Sequence, residues 1–321
     1  MQHMKKTLGI LSALAISGSA FADVNVSGYL DAGYSWSNKA AGGQNAFKFN
    51  EGGVWFTGKA GGSSFVADLD VGKVKVAVGN PDSFVQAFEQ AYVSHKYDNG
   101  FSWSLGVWDS QLGAEANDSV NRQFLKTGLL WSLLRETETG LSMGYDLSEA
   151  LGLQLWVVND TTSNSIKYPV LGFKLSSKMD GMNARVGAQF FTGVKKIAGD
   201  SYAANGETGY LIDVGADSKF GDVHVAANLL LKKEADKKAK SGLGFGVEGG
   251  AKLAEGTSFD VGVEWVNDKA GKKNKNNTGA VSVIELRAGP RFEMSDALTI
   301  KADYTFKKNG GDNAKNDKAE H

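Results

Sequence analysis

The sequence predicts an all-β fold: a transmembrane antiparallel β-barrel, an up-and-down meander of about 16 strands, with about 14 to 16 admissible. Three observations carry this. Segments of about ten residues alternate apolar and polar side chains along most of the chain, the length a tilted strand needs to cross a bilayer. The connections switch regularly between tight turns and long polar loops. The chain also opens with the pattern of an export leader.

The leader comes first. Lys5 and Lys6 form a basic start, Leu8 to Ile16 an apolar run, and Ala20 and Ala22 a small-residue cleavage pattern. Together they read as a signal peptide over 1–22, cleaved after Ala22. The apolar run is far shorter than the roughly 20 residues of a spanning helix. Composition narrows the rest. A formal charge of −1 gives no basic excess for nucleic acid. Without cysteine there is neither a disulfide frame nor a thiolate metal site. Only 3 prolines stand against 41 glycines, which suits ladders that proline would break. No Pro/Ser-rich seam divides the chain, so 23–306 reads as one architecture.

In 257–266, TSFDVGVEWV, Phe259, Val261, Val263 and Trp265 share one face, and Asp260, Gly262 and Glu264 the other. Strict alternation of this kind is a half-buried strand. The same reading places strands at 24–35, 52–60, 63–70, 85–97, 101–109, 138–147, 150–159, 167–177, 182–193, 207–219, 222–232, 242–253, 256–267, 280–293 and 297–306. Tight turns of hairpin chemistry fall at Gly61-Gly62, Asp98-Asn99-Gly100, Leu147-Ser148-Glu149, Met179-Asp180-Gly181, Phe220-Gly221-Asp222, Ala254-Glu255-Gly256 and Met294-Ser295-Asp296. Long polar loops fall at 36–51, 71–84, 110–137, 160–166, 194–206, 233–241 and 268–279. In outer-membrane barrels the short turns face the periplasm and the long loops the exterior.

One face of these strands is nearly free of charge. The other carries Asp31, Lys96, Arg185, Asp213, Glu248, Asp260, Glu264, Glu285, Arg287, Arg291, Lys301 and Asp303, joined by Asp146, Lys174, Asp217, Lys219, Lys232 and Lys252. A soluble sandwich would turn that face outward. A barrel turns it toward a water-filled lumen. The leader and the alternating connections favour the barrel. So do aromatics near strand ends, as at Tyr34, Trp36, Tyr97, Phe101, Phe220, Phe259, Trp265, Phe292 and Phe306, where an interfacial girdle lies.

Further residues carry a resemblance. They are Phe88-Glu89-Gln90-Ala91-Tyr92-Val93; Gly106-Val107-Trp108-Asp109-Ser110-Gln111-Leu112-Gly113-Ala114-Glu115; Asn121-Arg122-Gln123-Phe124; Thr139-Gly140 with Tyr145; and Val158-Asn159. This patterning, mainly over 23–160, resembles the β-barrel porin-2 family of Gram-negative outer membranes. The resemblance implies a channel for passive diffusion of small hydrophilic solutes and ions, with no catalytic residues, no cofactor and no metal. The partners it implies are outer-membrane lipid, lipopolysaccharide, the solutes and a homotrimer. Two other functions remain open: a structural or surface-contact barrel with a plugged lumen, and a sugar-type channel using Trp108, Trp156 and Tyr92 as a stacking track.

Two features depart from the family pattern. The strand reading is odd in number, and 307–321 is a polar tail without a terminal aromatic. Either a closing strand is missing or the tail is a periplasmic extension. Enzyme motifs match by spelling only. Gly140-Leu141-Ser142-Met143-Gly144 sits in an alternating strand rather than at a strand-to-helix elbow. Gly244-Phe245-Gly246-Val247-Glu248-Gly249 precedes no helix, and its glycines read as a thinned wall. His95 and His224 make no metal or triad spacing. The lysine-rich stretches from Lys232 to Lys240 and from Asp268 to Lys275 read as solvated loops.

The segment 110–137 does not alternate. Its charged residues Glu115, Asp118, Arg122, Lys126, Arg135 and Glu136 are the candidates for a constriction. Its apolar run, Leu129-Leu130-Trp131-Ser132-Leu133-Leu134, is costly to leave bare in water. The run is expected to pack on the inner wall, to form a short helix or to reach a neighbouring subunit. The plainer expectation is that parts of the segment extend the flanking strands.

Overall fold

The computed structural model describes residues 23–35, 46–71, 88–115, 121–125, 127–160, 165–198, 201–235, 241–268 and 281–310. The leader, Asp118, Lys126, the lysine-rich tips and 311–321 lie outside the described residues. The strands are β1 (Asp23–Ser35), β2 (Ala46–Ala60), β3 (Ser63–Val71), β4 (Phe88–Lys96), β5 (Phe101–Asp109), β6 (Thr137–Ser148), β7 (Leu151–Asp160) and β8 (Ser165–Met179). They continue as β9 (Met182–Ala198), β10 (Ser201–Phe220), β11 (Val223–Lys233), β12 (Gly242–Ala254), β13 (Thr257–Asp268), β14 (Val281–Ser295), β15 (Leu298–Lys301) and β16 (Tyr304–Gly310). They form one antiparallel meander of 16 strands in chain order, with β16 returning to β14. Glycines in the left-handed region, such as Gly61 and Gly221 at φ 58°, close the tight turns.

The chain forms two compact units. One holds β1 to β5 with most of β6, and the other holds residues 110–136 with β7 to β16. In the first unit Val26 and Leu30 are 58% and 82% exposed, while Glu51 and Asp68 on other strands are buried. Tyr29 Oη donates to Glu51 Oε1 at 3.3 Å. Strand β2 starts at Ala46 rather than at 52, because Phe49, Phe47 and Ala46 pair with Ala32, Tyr34 and Ser35 beyond a bulge at Asp31/Ala32. The end of the expected loop 36–51 is therefore ladder. His95 stays structural, its Nδ1 2.8 Å from Ser63 Oγ. The G-x-S-x-G stretch lies inside β6, paired with β5.

The second unit repeats the inversion over more strands. Val261 and Val263 are half exposed, whereas Asp213, Asp260, Glu264, Glu285 and Arg287 are all 5% exposed or less. Water-soluble proteins do the reverse. A sheet that buries its charges and bares its aliphatics is matched to an apolar solvent on its bare side. The ladder of β9 and β10 runs through the expected loop 194–206: Val194 pairs with Ala204, Lys196 with Tyr202 and Ala198 with Ser201, beyond a register shift at Ala204/Thr208. Backbone pairing does not require alternating side chains, so a polar stretch can remain strand. Likewise β8 begins at Ser165, within the expected loop 160–166. The polar tail begins later than expected too, since 307–310 lie in β16. Strands β15 and β16 keep a single register on β14, Arg291 opposite Lys301 and Ala288 opposite Tyr304. The break between them falls opposite Pro290, which accepts from the Ala302 N–H at 3.1 Å but has no N–H to return.

Candidate functional site

The non-alternating segment is pinned at its base, where the Ser110 N–H donates to the Glu136 carbonyl at 3.1 Å. From there it lies along the polar face of the second unit, touching strands from β8 to β15. Lys174 Nζ of β8 donates to Gln111 Oε1 at 3.4 Å. Leu112 is buried over Gly187 of β9, where an added Cβ would come within 2.6 Å of it. The Gly113 N–H donates to Asp213 Oδ2 of β10 at 3.2 Å. Asp213 is fixed in turn by Arg185 Nε at 2.8 Å and Asn228 Nδ2 at 2.6 Å. Gln123 Nε2 donates to His224 Nε2 of β11 at 2.7 Å and to Asp260 Oδ1 of β13 at 3.0 Å. The Leu125 N–H donates to Asp303, and Lys301 Nζ of β15 donates to the Arg122 carbonyl at 2.6 Å.

Arg287 of β14 is the centre of this attachment. Its Nη1 donates to Glu115 Oε1 of the segment at 2.7 Å, and its Nη2 to Glu264 Oε1 of β13 at 2.6 Å. Its Nε lies 3.4 Å from Glu285, which also pairs with Lys307. The guanidinium covers the Phe124 ring, 4.4 Å from its centroid, a favourable cation–π geometry. Glu115 in turn accepts the Gly128 N–H on both oxygens, at 3.0 and 2.8 Å. Glycine at 128 leaves room for this cluster, since a Cβ there would push the Glu264 carboxylate and the Arg287 guanidinium aside.

The apolar run resolves into a short 3-10 helix, Leu130–Leu133, with Leu130 and Leu133 buried. Its first N–H, on Leu130, donates to Glu264 Oε2 at 2.9 Å. Both leucines sit over the glycines of β12: a Cβ on Gly244 would meet Leu133 Cδ1 at 2.9 Å, and one on Gly246 would meet Leu130 Cδ1 at 2.9 Å. The wall is thin there to seat the helix. Gly244→Val should therefore overpack the seat and cost roughly 1–3 kcal/mol. Urea unfolding in micelles and protease cleavage within 110–137 would measure this; an unchanged midpoint and an uncut segment would contradict the seating.

Four of the expected constriction residues are described. Glu115 is joined to Arg287. Arg122 is buried and donates to the Leu125 carbonyl at 3.3 Å. Arg135 lies over the Phe191 ring at 5.5 Å. Glu136 is exposed at the base. The wall residues Arg185, Asp213, Asp260, Glu264, Arg287, Lys301 and Asp303 are brought together by this segment. Glu248 is half-buried on β12, beside the same site, and Arg291 pairs with Glu293 at 3.2 Å. Asp31 and Lys96 belong to the first unit. Trp108 and Trp156 are only 4% and 3% exposed, so neither offers a ring face for solute stacking. The contacts sequence reasoning missed are Gln123, Phe124, Gly128 and His224. The paired glycines of β12, facing an apolar run that needs cover, were the one available signal.

Below the segment, toward the tight turns, a cavity of about 460 Å³ opens between Asn121, Gln123, Lys219, His224, Lys252 and Asp260. The family model described as "Putative beta-barrel porin-2, OmpL-like" matches residues 23–320. No curated protein matches. Among solved structures, the chain is similar to OmpF of Salmonella typhi in complex with daunomycin, with TM-score 0.65 and 13% identity over 88% of this chain and 89% of that one. It is similar to OmpT of Vibrio cholerae, with TM-score 0.60 and 10% identity over 89% and 88%; a trimer form of OmpT is also solved. OprB of Pseudomonas putida gives TM-score 0.57 and 11% identity over 89% and 88%. These likenesses show the fold, that of the outer-membrane porin barrels.

Proposed function

The chain belongs to the Putative beta-barrel porin-2, OmpL-like family, and from that premise we propose that it is a passive diffusion channel for small hydrophilic solutes and ions in the outer membrane. The observation that carries the reading is the inverted burial: aliphatics bare on one face of β1 and of β9 to β14, charges gathered on the other. Lipid offers no hydrogen-bond partner, so the antiparallel ladder keeps its backbone groups satisfied within the sheet. Water and solute follow the polar face, and fixed charges with the narrowest section sort them by sign and size. The segment 110–136 supplies that narrowing, because it is tied to the polar face of β8 to β15. Acids and bases balance along the wall, which supports modest cation/anion discrimination. Export through the leader and cleavage after Ala22 belong to the same proposal. So does a homotrimer, supported by the trimer form of OmpT.

Purified protein in planar bilayers should give single-channel steps, and deletion of 115–126 should enlarge them. An unchanged step size after the deletion would remove the segment from the conduction path. The extent of the segment's cover favours one second reading, a plugged barrel with a surface role. That reading requires the intact protein to be silent. Silence of both intact protein and deletion variant would end the channel proposal.

A further inference from the structure

We infer that the cavity beneath the segment is a solute site for a monosaccharide-sized organic anion, a sugar bearing a carboxylate or a phosphate. The inference rests on the channel reading for its role, not for its chemistry. A volume of about 460 Å³ lies within the roughly 300–1,000 Å³ of small-molecule sites. Its walls come from five consecutive strands and from the segment, which contributes Asn121 and Gln123.

The charges lining it are of two kinds, committed and free. Asp260 accepts from Gln123 at 3.0 Å and lies 3.7 Å from His224. Glu293 pairs with Arg291. Those acids are therefore already engaged. Lys219 and Lys252 line the same cavity, and among the described residues neither has a side-chain partner. The two lysines flank His224 from β10 and β12, Lys219 directly opposite it in register and Lys252 two positions beyond its other partner, Gly250. Asp222 is the single uncommitted acid on the lining. The lining carries three cations (Lys219, Lys252 and Arg291) and three acids (Asp222, Asp260 and Glu293), so selectivity for an anionic head comes not from a surplus of charge but from the two unpaired ammonium groups, which bind it through charge-assisted hydrogen bonds. Ser258 and Thr257 hydroxyls and the Asn121 amide offer the neutral donors and acceptors that sugar hydroxyls match.

The site also has a direction. It opens beside the tight turns that hold Asp222 and Gly256, which face the periplasm in barrels of this kind. A solute held there has already passed the segment. The lysines would then act as a receiving station that makes exit from the narrow section favourable for anions over neutral sugars.

The test uses the refolded full chain with gluconate, glucose 6-phosphate and glucose as probes. Titration calorimetry in micelles reads binding without any conductance. Bilayer recordings read current block with the probe added from either side. Gluconate and glucose 6-phosphate should bind and block while glucose does neither, and the two anions together distinguish a carboxylate from a phosphate preference. Lys219→Gln with Lys252→Gln should weaken anion binding about tenfold or more, and Asp222→Asn should tighten it. Both lysines are exposed, so the folded state should survive their exchange. Equal binding of glucose and gluconate, or anion binding unchanged in the double variant, would overturn the site. A silent bilayer with lysine-dependent binding intact would overturn the channel reading and leave the site standing.

Discussion

Arg287→Met lowers the stability of the refolded protein by roughly 3–5 kcal/mol, the cost of removing one partner from a buried ionic cluster. The guanidinium is only 2% exposed at its side chain and serves Glu115 and Glu264 at once. Its loss leaves carboxylates of three elements facing one another without a cation, apart from the contact of Lys307 with Glu285. It also uncovers Phe124, the largest fully buried side chain among the described residues. The segment 110–136 loses its ion pair with β14, so the same variant should show noisier open-channel current. Urea titration followed by tryptophan fluorescence gives the free energy. A change below about 1 kcal/mol, the range of ordinary surface pairs, would mean that Arg287 does not hold the segment.

Val263→Arg separates the two solvents that β13 faces. Val263 is 49% exposed. At an exposed site in water such a substitution usually stays within about 0.5 kcal/mol. On the lipid face of a barrel an arginine near the bilayer midplane costs roughly 2–4 kcal/mol. Unfolding from lipid vesicles should therefore show the larger penalty. A neutral result there would say that the bare aliphatic face is wet, and the membrane placement of this strand would fall with it.

The strands were legible because a sheet with two different solvents writes its period into the side chains. Phe259, Val261, Val263 and Trp265 could be assigned to one face without any knowledge of their neighbours. Backbone pairing leaves no such mark, which is why the continuation of β9 and β10 beyond 193 was read as a loop. The site was half legible for a related reason. Glu115 and Arg287 were both singled out, one for the segment and one for the wall, yet nothing in the sequence couples them across 172 positions. Gly244 and Gly246 marked a thin wall, while their occupants, Leu130 and Leu133, lay in a run that had three possible places to go. Pro290 was visible, but only the register of β14 shows that it splits the last strand.

The docking of 110–136 also fixes an order of events. The chain makes this segment before any strand it rests on. Its hydrogen bonds reach forward 100 positions to Asp213 and 179 positions to Lys301. Contacts so distant in sequence cost loop-closure entropy before they return anything. The segment can settle only after β13, β14 and β15 have joined the sheet. Until then Phe124, Leu130 and Leu133 have no seat, and an unseated apolar stretch in a part-built sheet is prone to aggregation. Assembly of this protein is therefore most exposed to failure not at the strands but during the interval in which its central segment waits for the C-terminal ones.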